Sequence, residues 1–276
     1  MRLMYLFDNK LKAYFSKGKK YCNPQNTAIL QEGLSCIRQD DVNLWFYTKG
    51  GVTIAVDAGH LNFPGAGREL EKIGVDSEKV DHLFLTHADV DHCGGIDVTG
   101  TNLFPNAQVY LGRKEEAYLN GSIYRMKKFG LKIKNCVRIQ DGYRRLDDGE
   151  LVSIGSIRVQ AFHIPGHTWG HMCYIVDDLV LFSGDCLAVN DEGGYSFFDF
   201  FTQDPKMNKQ SLIRLKKIVE NSGVKYVCTG HSGLRTDMEK VFKHIDKSAT
   251  FSRRAPFDDS APWDYRTREK SHRLKK

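Results

Sequence analysis

The segment Thr86-His87-Ala88-Asp89-Val90-Asp91-His92-Cys93-Gly94-Gly95 places two imidazoles and two carboxylates between positions 87 and 92. Neutral imidazole and carboxylate are ligands for zinc-like or iron-like divalent metals. The segment follows the largely apolar run Val80-Asp81-His82-Leu83-Phe84-Leu85, which reads as a buried strand. Ionisable side chains are costly at the end of such a strand unless something there uses them. A polar loop that happens to be rich in His and Asp would show the same residues, but matching ones recur downstream.

Three later segments complete the set: His163-Ile164-Pro165-Gly166-His167-Thr168-Trp169-Gly170-His171, Leu179-Val180-Leu181-Phe182-Ser183-Gly184-Asp185-Cys186, and Val224-Lys225-Tyr226-Val227-Cys228-Thr229-Gly230-His231-Ser232-Gly233. Each puts His or Asp where an apolar, strand-like run ends in a Gly-containing turn. A rigid sheet fixes ligands at its strand ends, and the turn lets the backbone come close to a bound ion.

On these motifs the sequence resembles the metallo-β-lactamase fold superfamily, and within it the glyoxalase II-like metallo-hydrolases, over roughly residues 40–235. Val56-Asp57-Ala58-Gly59 resembles that family's early strand-end Asp-x-Gly, and His167-Thr168-Trp169-Gly170-His171-Met172-Cys173-Tyr174 the glyoxalase II form of its third motif. One position departs: Asp89 stands where a second His is usual, and the flavodiiron branch carries an acidic residue there. The resemblance implies two divalent metal ions. One would take His87, Asp89 and His167, the other Asp91, His92 and His231, with Asp185 bridging them. Asp91 is the implied catalytic residue, orienting the attacking water or receiving its proton. Zinc is expected first. The carboxylates Asp89, Asp91 and Asp185 make the donor set harder and keep iron or manganese open.

The implied fold is α/β, a four-layer αββα sandwich over residues 1–250, followed by a charged C-terminal arm over 251–276. The expected activity is hydrolysis of an ester, thioester or lactone in a small-molecule substrate. A phosphodiesterase or a di-iron oxidoreductase resembling the flavodiiron core is the alternative. A metal pair about 3.5–4 Å apart suits any of these, because it activates water, holds a substrate oxygen and stabilises the leaving group. Redox chemistry lacks a flavodoxin-like domain to deliver electrons.

Length and composition agree. The chain has 276 residues, 41% of them hydrophobic, enough to bury a full core. No apolar run approaches the roughly 20 residues of a membrane span, and the first residues are charged too early for a secretory signal. Seven scattered cysteines without a Cys-x-x-Cys pair suggest free thiols in a reducing cytoplasm. The net charge of +6 is modest. Its basic clusters at Lys17–Lys20, Arg125–Lys128 and the tail from Arg266 to Lys276 read as solvated surface, and no nucleic-acid motif accompanies them.

Hydrophobic periodicity places the elements that must hold the motifs. Asn43–Tyr47 and Val52–Val56 read as strands paired around Lys49-Gly50-Gly51. Gly67–Ile73 reads as a short helix, Ala107–Leu111 as a strand and Arg113–Leu119 as a helix. Leu151–Ile164 is a hairpin turning at Gly155-Ser156; Tyr174–Val176 and Leu179–Phe182 form another around Asp177-Asp178. Met207–Ser222 is an amphipathic helix, Val224–Cys228 a strand and Asp237–Ala249 a final helix.

Residues beside the motifs carry weaker expectations. His171 and Asp57 should hydrogen-bond behind ligands rather than ligate, and His60 and His163 read as core or surface histidines. Cys93 and Cys186 read as small packed residues, with a redox-sensitive thiol as the sharper alternative. The aromatic run Gly193–Phe201 could rim a substrate mouth, fill core or form a homodimer interface.

Overall fold

Runs of alternating β-branched and aromatic residues become strands in the computed structural model, which describes residues 21–128 and 130–250. In chain order the first half comprises β1 (Ala28–Ile29), β2 (Leu34–Gln39), β3 (Val42–Lys49), β4 (Val52–Val56), helix α1 (Ala66–Lys72), β5 (His82–Phe84), α2 (Val90–Cys93), β6 (Gln108–Gly112), α3 (Glu116–Leu119), β7 (Tyr124–Lys128), β8 (Leu131–Lys134) and β9 (Arg144–Leu146). The second half comprises β10 (Leu151–Ile154), β11 (Ile157–His163), β12 (Met172–Val176), β13 (Val180–Gly184), β14 (Leu187–Asn190), β15 (Gly193–Ser196), α4 (Pro205–Glu220), β16 (Tyr226–Thr229), β17 (Leu234–Arg235), α5 (Met238–Val241) and β18 (His244–Ser248).

Two large sheets form. One is ordered β1-β2-β3-β4-β5-β6-β9, the other β10-β11-β12-β13-β16-β17. Within the first, β4, β5, β6 and β9 run parallel; within the second, β13 and β16 do. Side-chain alternation assigns the faces. Along β3, Trp45 and Tyr47 face a core shared with Ile157, Tyr174 and Phe182 of the second sheet, whereas Leu44 and Phe46 face an outer core containing Leu70 of α1 and Tyr118 of α3. Along β12, Met172, Tyr174 and Val176 join the shared core. Cys173 and Ile175 face outward onto Leu212, Leu215 and Val219 of α4. Both sheets are therefore covered on both faces, and the αββα sandwich expected from the sequence is the observed architecture.

Local signals were legible. Asp177 and Asp178 have φ of 52° and 54°, the left-handed pair that a two-residue hairpin turn requires. Helix α4 begins at the Asp204 cap, whose carboxylate accepts the Met207 N–H, with Pro205 in its first turn. The final element differs. Asp237 caps a helix that stops at Val241, and residues 244–248 form β18, parallel to β15 in a small third sheet with β14. The edge of β15 opposite β14 supplies backbone partners, and burying Ile245 and Ala249 there outweighs the local helical pattern.

No helix among the described residues is long and apolar enough to cross a membrane. The Lys17–Lys20 cluster and the arm from 251 to 276 lie outside the described residues. Phe84 marks the centre of the shared core: it is fully buried, stacks on Tyr110 at 4.4 Å and meets Tyr174 edge-on at 5.2 Å. Phe84→Ala should cost about 3–5 kcal/mol in urea unfolding; a loss under about 1 kcal/mol would show that the two sheets do not depend on this contact.

Candidate metal centre

Two pairs of parallel neighbours, β4 with β5 and β13 with β16, end at one place. Asp57 follows β4, and the 87–92 segment follows β5 and runs into α2. Asp185 follows β13, and His231 follows β16. His167 and His171 come from the loop joining β11 to β12. The structure thus brings all seven candidate ligands together, and six of them are at most 3% exposed. Asp89 is the outermost, with its side chain 16% exposed.

Hydrogen bonds set the ring tautomers. His92 Nδ1 lies 2.8 Å from Asp57 Oδ2, and His231 Nδ1 lies 2.5 Å from the carbonyl O of Asp41. Each must be an N–H facing an acceptor, which leaves Nε2 with a lone pair. Thr86 Oγ1 donates its one proton to Asp57, so it accepts from His87 Nδ1 at 2.9 Å, and His87 Nε2 is bare as well. The Nε2 atoms of His87, His92 and His231, and Asp185 Oδ1, are buried without a hydrogen-bond partner among the described residues. Buried polar atoms are rarely left so, and lone pairs that converge call for a cation.

Asp91, His92 and His231 form one donor cluster. His231 Nε2 is 3.2 Å from Asp91 Oδ2 and 3.1 Å from Asp185 Oδ2, and His92 Nε2 is 3.4 Å from Asp185 Oδ1. Burial lowers the His92 pKa, but the Asp185 and Asp57 carboxylates overcome it and raise it to about 10. The position therefore demands a positive charge, supplied by a proton or by a metal. These residues fit one divalent ion. Gly230 makes the fit possible, since a Cβ there would lie 2.2 Å from Asp185 Oδ1 and 2.8 Å from His92 Cε1.

The other cluster, His87, His167 and Asp185, also has donors within reach of one ion, but Arg125 of β7 enters it. The Arg125 guanidinium is 5% exposed. Its Nε and Nη2 grip the Asp89 carboxylate in bidentate fashion, with Nη2 at 2.6 Å from Oδ2. Nη2 is also 3.1 Å from His167 Nε2 and donates to the carbonyl O of Phe201 at 2.9 Å. Burial raises the Asp89 pKa, yet Arg125, His167 and His87 together hold it well below the ordinary carboxylate value. Arg125 is thus not the solvated surface residue expected from its basic cluster. Of the donors in the His87, His167 and Asp185 cluster, the guanidinium touches His167 Nε2.

Supporting residues lie behind both clusters. The Asp57 carboxylate, on a backbone at φ 64°, accepts the Thr86 N–H at 2.8 Å besides the His92 ring. His171 Nε2 accepts the Asp185 N–H at 3.2 Å and so stands behind the centre. Glu115, which sequence reading passed over, is buried and clamps the two ligand loops. It accepts from the Ala88 N–H at 2.8 Å, the Thr168 hydroxyl at 2.8 Å and the Gly170 N–H at 3.0 Å. Burial pushes its carboxyl up to about 7 despite these donors. Neither Glu115 nor Arg125 sits in a motif, and only their partners reveal them.

The remaining candidates separate clearly. His60 is buried against Asp41 at 3.2 Å, and half-buried His163 faces the Trp169 carbonyl, so neither joins the centre. Cys36, Cys93, Cys173, Cys186 and Cys228 are buried free thiols. Cys93 is a packed residue whose thiol points at the Asp89 carbonyl, and burial pushes its pKa well up. In the aromatic run, Phe197 is buried edge-on to His167 at 5.0 Å, while Phe200 is exposed. The run therefore supplies both a dry wall for the centre and a surface residue.

Two outcomes follow from the supporting contacts. Asp57→Asn should weaken metal affinity about 10–100-fold, measured by competition with a chromophoric chelator, because the His92 ring loses its charged acceptor. Unaltered affinity would remove Asp57 from the site. Glu115→Ala should destabilise the fold by about 2–4 kcal/mol in chemical unfolding, since it orphans two buried amides; a neutral effect would show that the clamp carries no weight.

The sequence model of the metallo-beta-lactamase superfamily matches residues 37–231. The chain is 28% identical over 172 residues to a probable polyketide biosynthesis zinc-dependent hydrolase of Bacillus subtilis (strain 168), covering 60% of this chain and 67% of the relative. It is 26% identical over 152 residues to a hydroxyacylglutathione hydrolase of Aeromonas salmonicida (strain A449), covering 53% of this chain and 49% of the relative. The chain thus spans about half the length of that second protein. Among solved structures, a metallo-beta-lactamase family protein of Thermus thermophilus superposes with a TM-score of 0.57 at 20% identity over 78% of each chain, which speaks to the fold. Since the matched stretch takes in the strand ends that carry all seven candidate ligands, the chain belongs to the metallo-beta-lactamase superfamily.

Proposed function

We propose that this chain is a metal-dependent hydrolase, with zinc the first metal to test, acting on an ester, thioester or lactone bond of a small-molecule substrate. The observation that carries the reading is the convergence of two bare imidazole Nε2 atoms, His92 and His231, with the Asp91 and Asp185 carboxylates in a buried pocket. Two similar proteins support it: one is named a zinc-dependent hydrolase, the other a hydroxyacylglutathione hydrolase. The latter name denotes a thioester substrate.

When bound, a divalent ion supplies Lewis acidity and lowers the pKa of a coordinated water toward neutrality. The residues of the chain do the rest. Asp57 and the Asp41 carbonyl fix the His92 and His231 rings, so no ring rotation accompanies turnover. Asp91, with Oδ2 3.2 Å from His231 Nε2, orients the attacking water and takes up its proton. Phe197, tilted over His231 at 5.7 Å and edge-on to His167, keeps one side of the pocket dry and strengthens the fields of the charged groups.

A panel of p-nitrophenyl esters, thioesters, lactones and bis-p-nitrophenyl phosphate tests the reading. Turnover of a carboxylic substrate should vanish with chelator and return with zinc. Asp91→Asn should lower kcat by about 10²–10⁴-fold. Hydrolysis of the phosphodiester alone would favour the phosphodiesterase reading, and oxygen or nitric oxide consumption by the iron-loaded protein an oxidoreductase. Inactivity of the metal-loaded protein on every ester, thioester and lactone would overturn the proposal.

A further inference from the structure

Four imidazoles face this centre, and they are not equivalent. His87, His92 and His231 each present a bare Nε2. His167 does not: its Nε2 faces Arg125 Nη2 at 3.1 Å, and its unpaired atom is Nδ1. The same Nη2 is 2.6 Å from Asp89 Oδ2, and that oxygen is 3.2 Å from His167 Nε2 and 3.4 Å from His87 Nε2. Asp89 Oδ2, His87 Nε2 and His167 Nε2 are the donors that the resemblance assigns to one ion of a pair, with Asp185 shared between the two. A zinc ion binds such donors at about 2.0–2.2 Å. It would have to share Oδ2, and the space beside His167 Nε2, with a guanidinium that is always charged.

We propose that the Arg125 guanidinium is a built-in cation in place of a second metal, so that this centre holds one divalent ion, on Asp91, His92, His231 and Asp185. The inference rests on reading the site as a metal centre. Charge supports it. Among the candidate ligands Arg125 cancels Asp89, which leaves Asp91 and Asp185 as two negative charges for one doubly charged ion, while Asp57 is turned to the His92 ring. Construction supports it too. The guanidinium is anchored by the Asp89 carboxylate and the Phe201 carbonyl, packs against His167, and is nearly as buried as the ligands themselves. Long side chains lose considerable rotamer entropy when fixed in this way, so an anchored, buried arginine is a committed part of the site.

Metal stoichiometry of the full-length protein tests this without reference to turnover. Apo protein is titrated with zinc against a chromophoric chelator, and bound metal is counted by mass spectrometry after gel filtration. Wild type should saturate at one ion per chain. His231→Ala should lose that ion and His87→Ala should retain it. Arg125→Ala should take up a second ion, because Asp89 and His167 are released. Should that variant fail to fold, the wild-type count and the two histidine variants still decide. Two ions of comparable affinity in wild type, or one ion lost in His87→Ala and kept in His231→Ala, would overturn the inference while leaving the metal centre intact. Binding of no ion would remove the metal reading itself.

Discussion

Three carboxylates and four imidazoles are held almost out of water where the two sheets meet, and the rest of the structure is conditioned by that burial. Desolvating an ionised carboxylate costs several kcal/mol unless opposite charge and hydrogen bonds compensate. Asp185 is compensated by His231 and His92, which hold its pKa well below the ordinary value against the effect of burial. Asp89 is compensated by Arg125. Asp57 accepts from Thr86 and His92, so its charge is used to tie the end of β4 to the 87–92 segment. Outside this ring, the sandwich is apolar on both faces of both sheets. The core can thus supply the stability that the centre consumes.

The same constraint explains the hairpin of β7 and β8. A two-stranded ribbon alone is marginal in water, and these strands carry Lys127, Lys128, Lys132 and Lys134 with an exposed Leu131. The ribbon is docked instead by polar links to one loop. Arg125 bonds to the Phe201 carbonyl, Gln203 to the Tyr124 carbonyl at 3.4 Å, and Lys128 to the carbonyls of Asp199 and Phe200. Arg125 is the only one of these links that also reaches the centre. The order of the ribbon and the charge state of Asp89 are therefore coupled, and removing one partner of such a buried pair costs about 3–5 kcal/mol.

What the sequence disclosed divides along the same physical line. Ligand types at strand ends, the Asp177-Asp178 turn and the Asp204 cap are local chemistry, and local chemistry can be read from neighbouring residues. The β18 strand could not be, because its pairing of His244 with Tyr195 is a long-range choice that overrides helical propensity. Arg125 was hidden for a related reason. It stands among Met126, Lys127 and Lys128, where a basic run reads as solvated surface, and its partner Asp89 lies 36 positions earlier. Glu115 clamps Thr168 from 53 positions away. The one local sign was the acidic residue at 89, which departed from the histidine expected there.

That departure and Arg125 are best understood together. A histidine at 89 beside Arg125 would place a buried guanidinium next to neutral rings, with no carboxylate to receive its fork of donors. An aspartate at 89 without Arg125 would add a third buried carboxylate to the centre, repelling Asp91 and Asp185 unless another cation arrived. Either change alone leaves a buried charge unbalanced, whereas the pair is balanced before any metal binds. The His87 side of the centre therefore carries a fixed guanidinium, whereas the His92–His231 side has only imidazoles to offset Asp91 and Asp185. The single ion proposed for the centre would supply the fixed positive charge that this second side lacks.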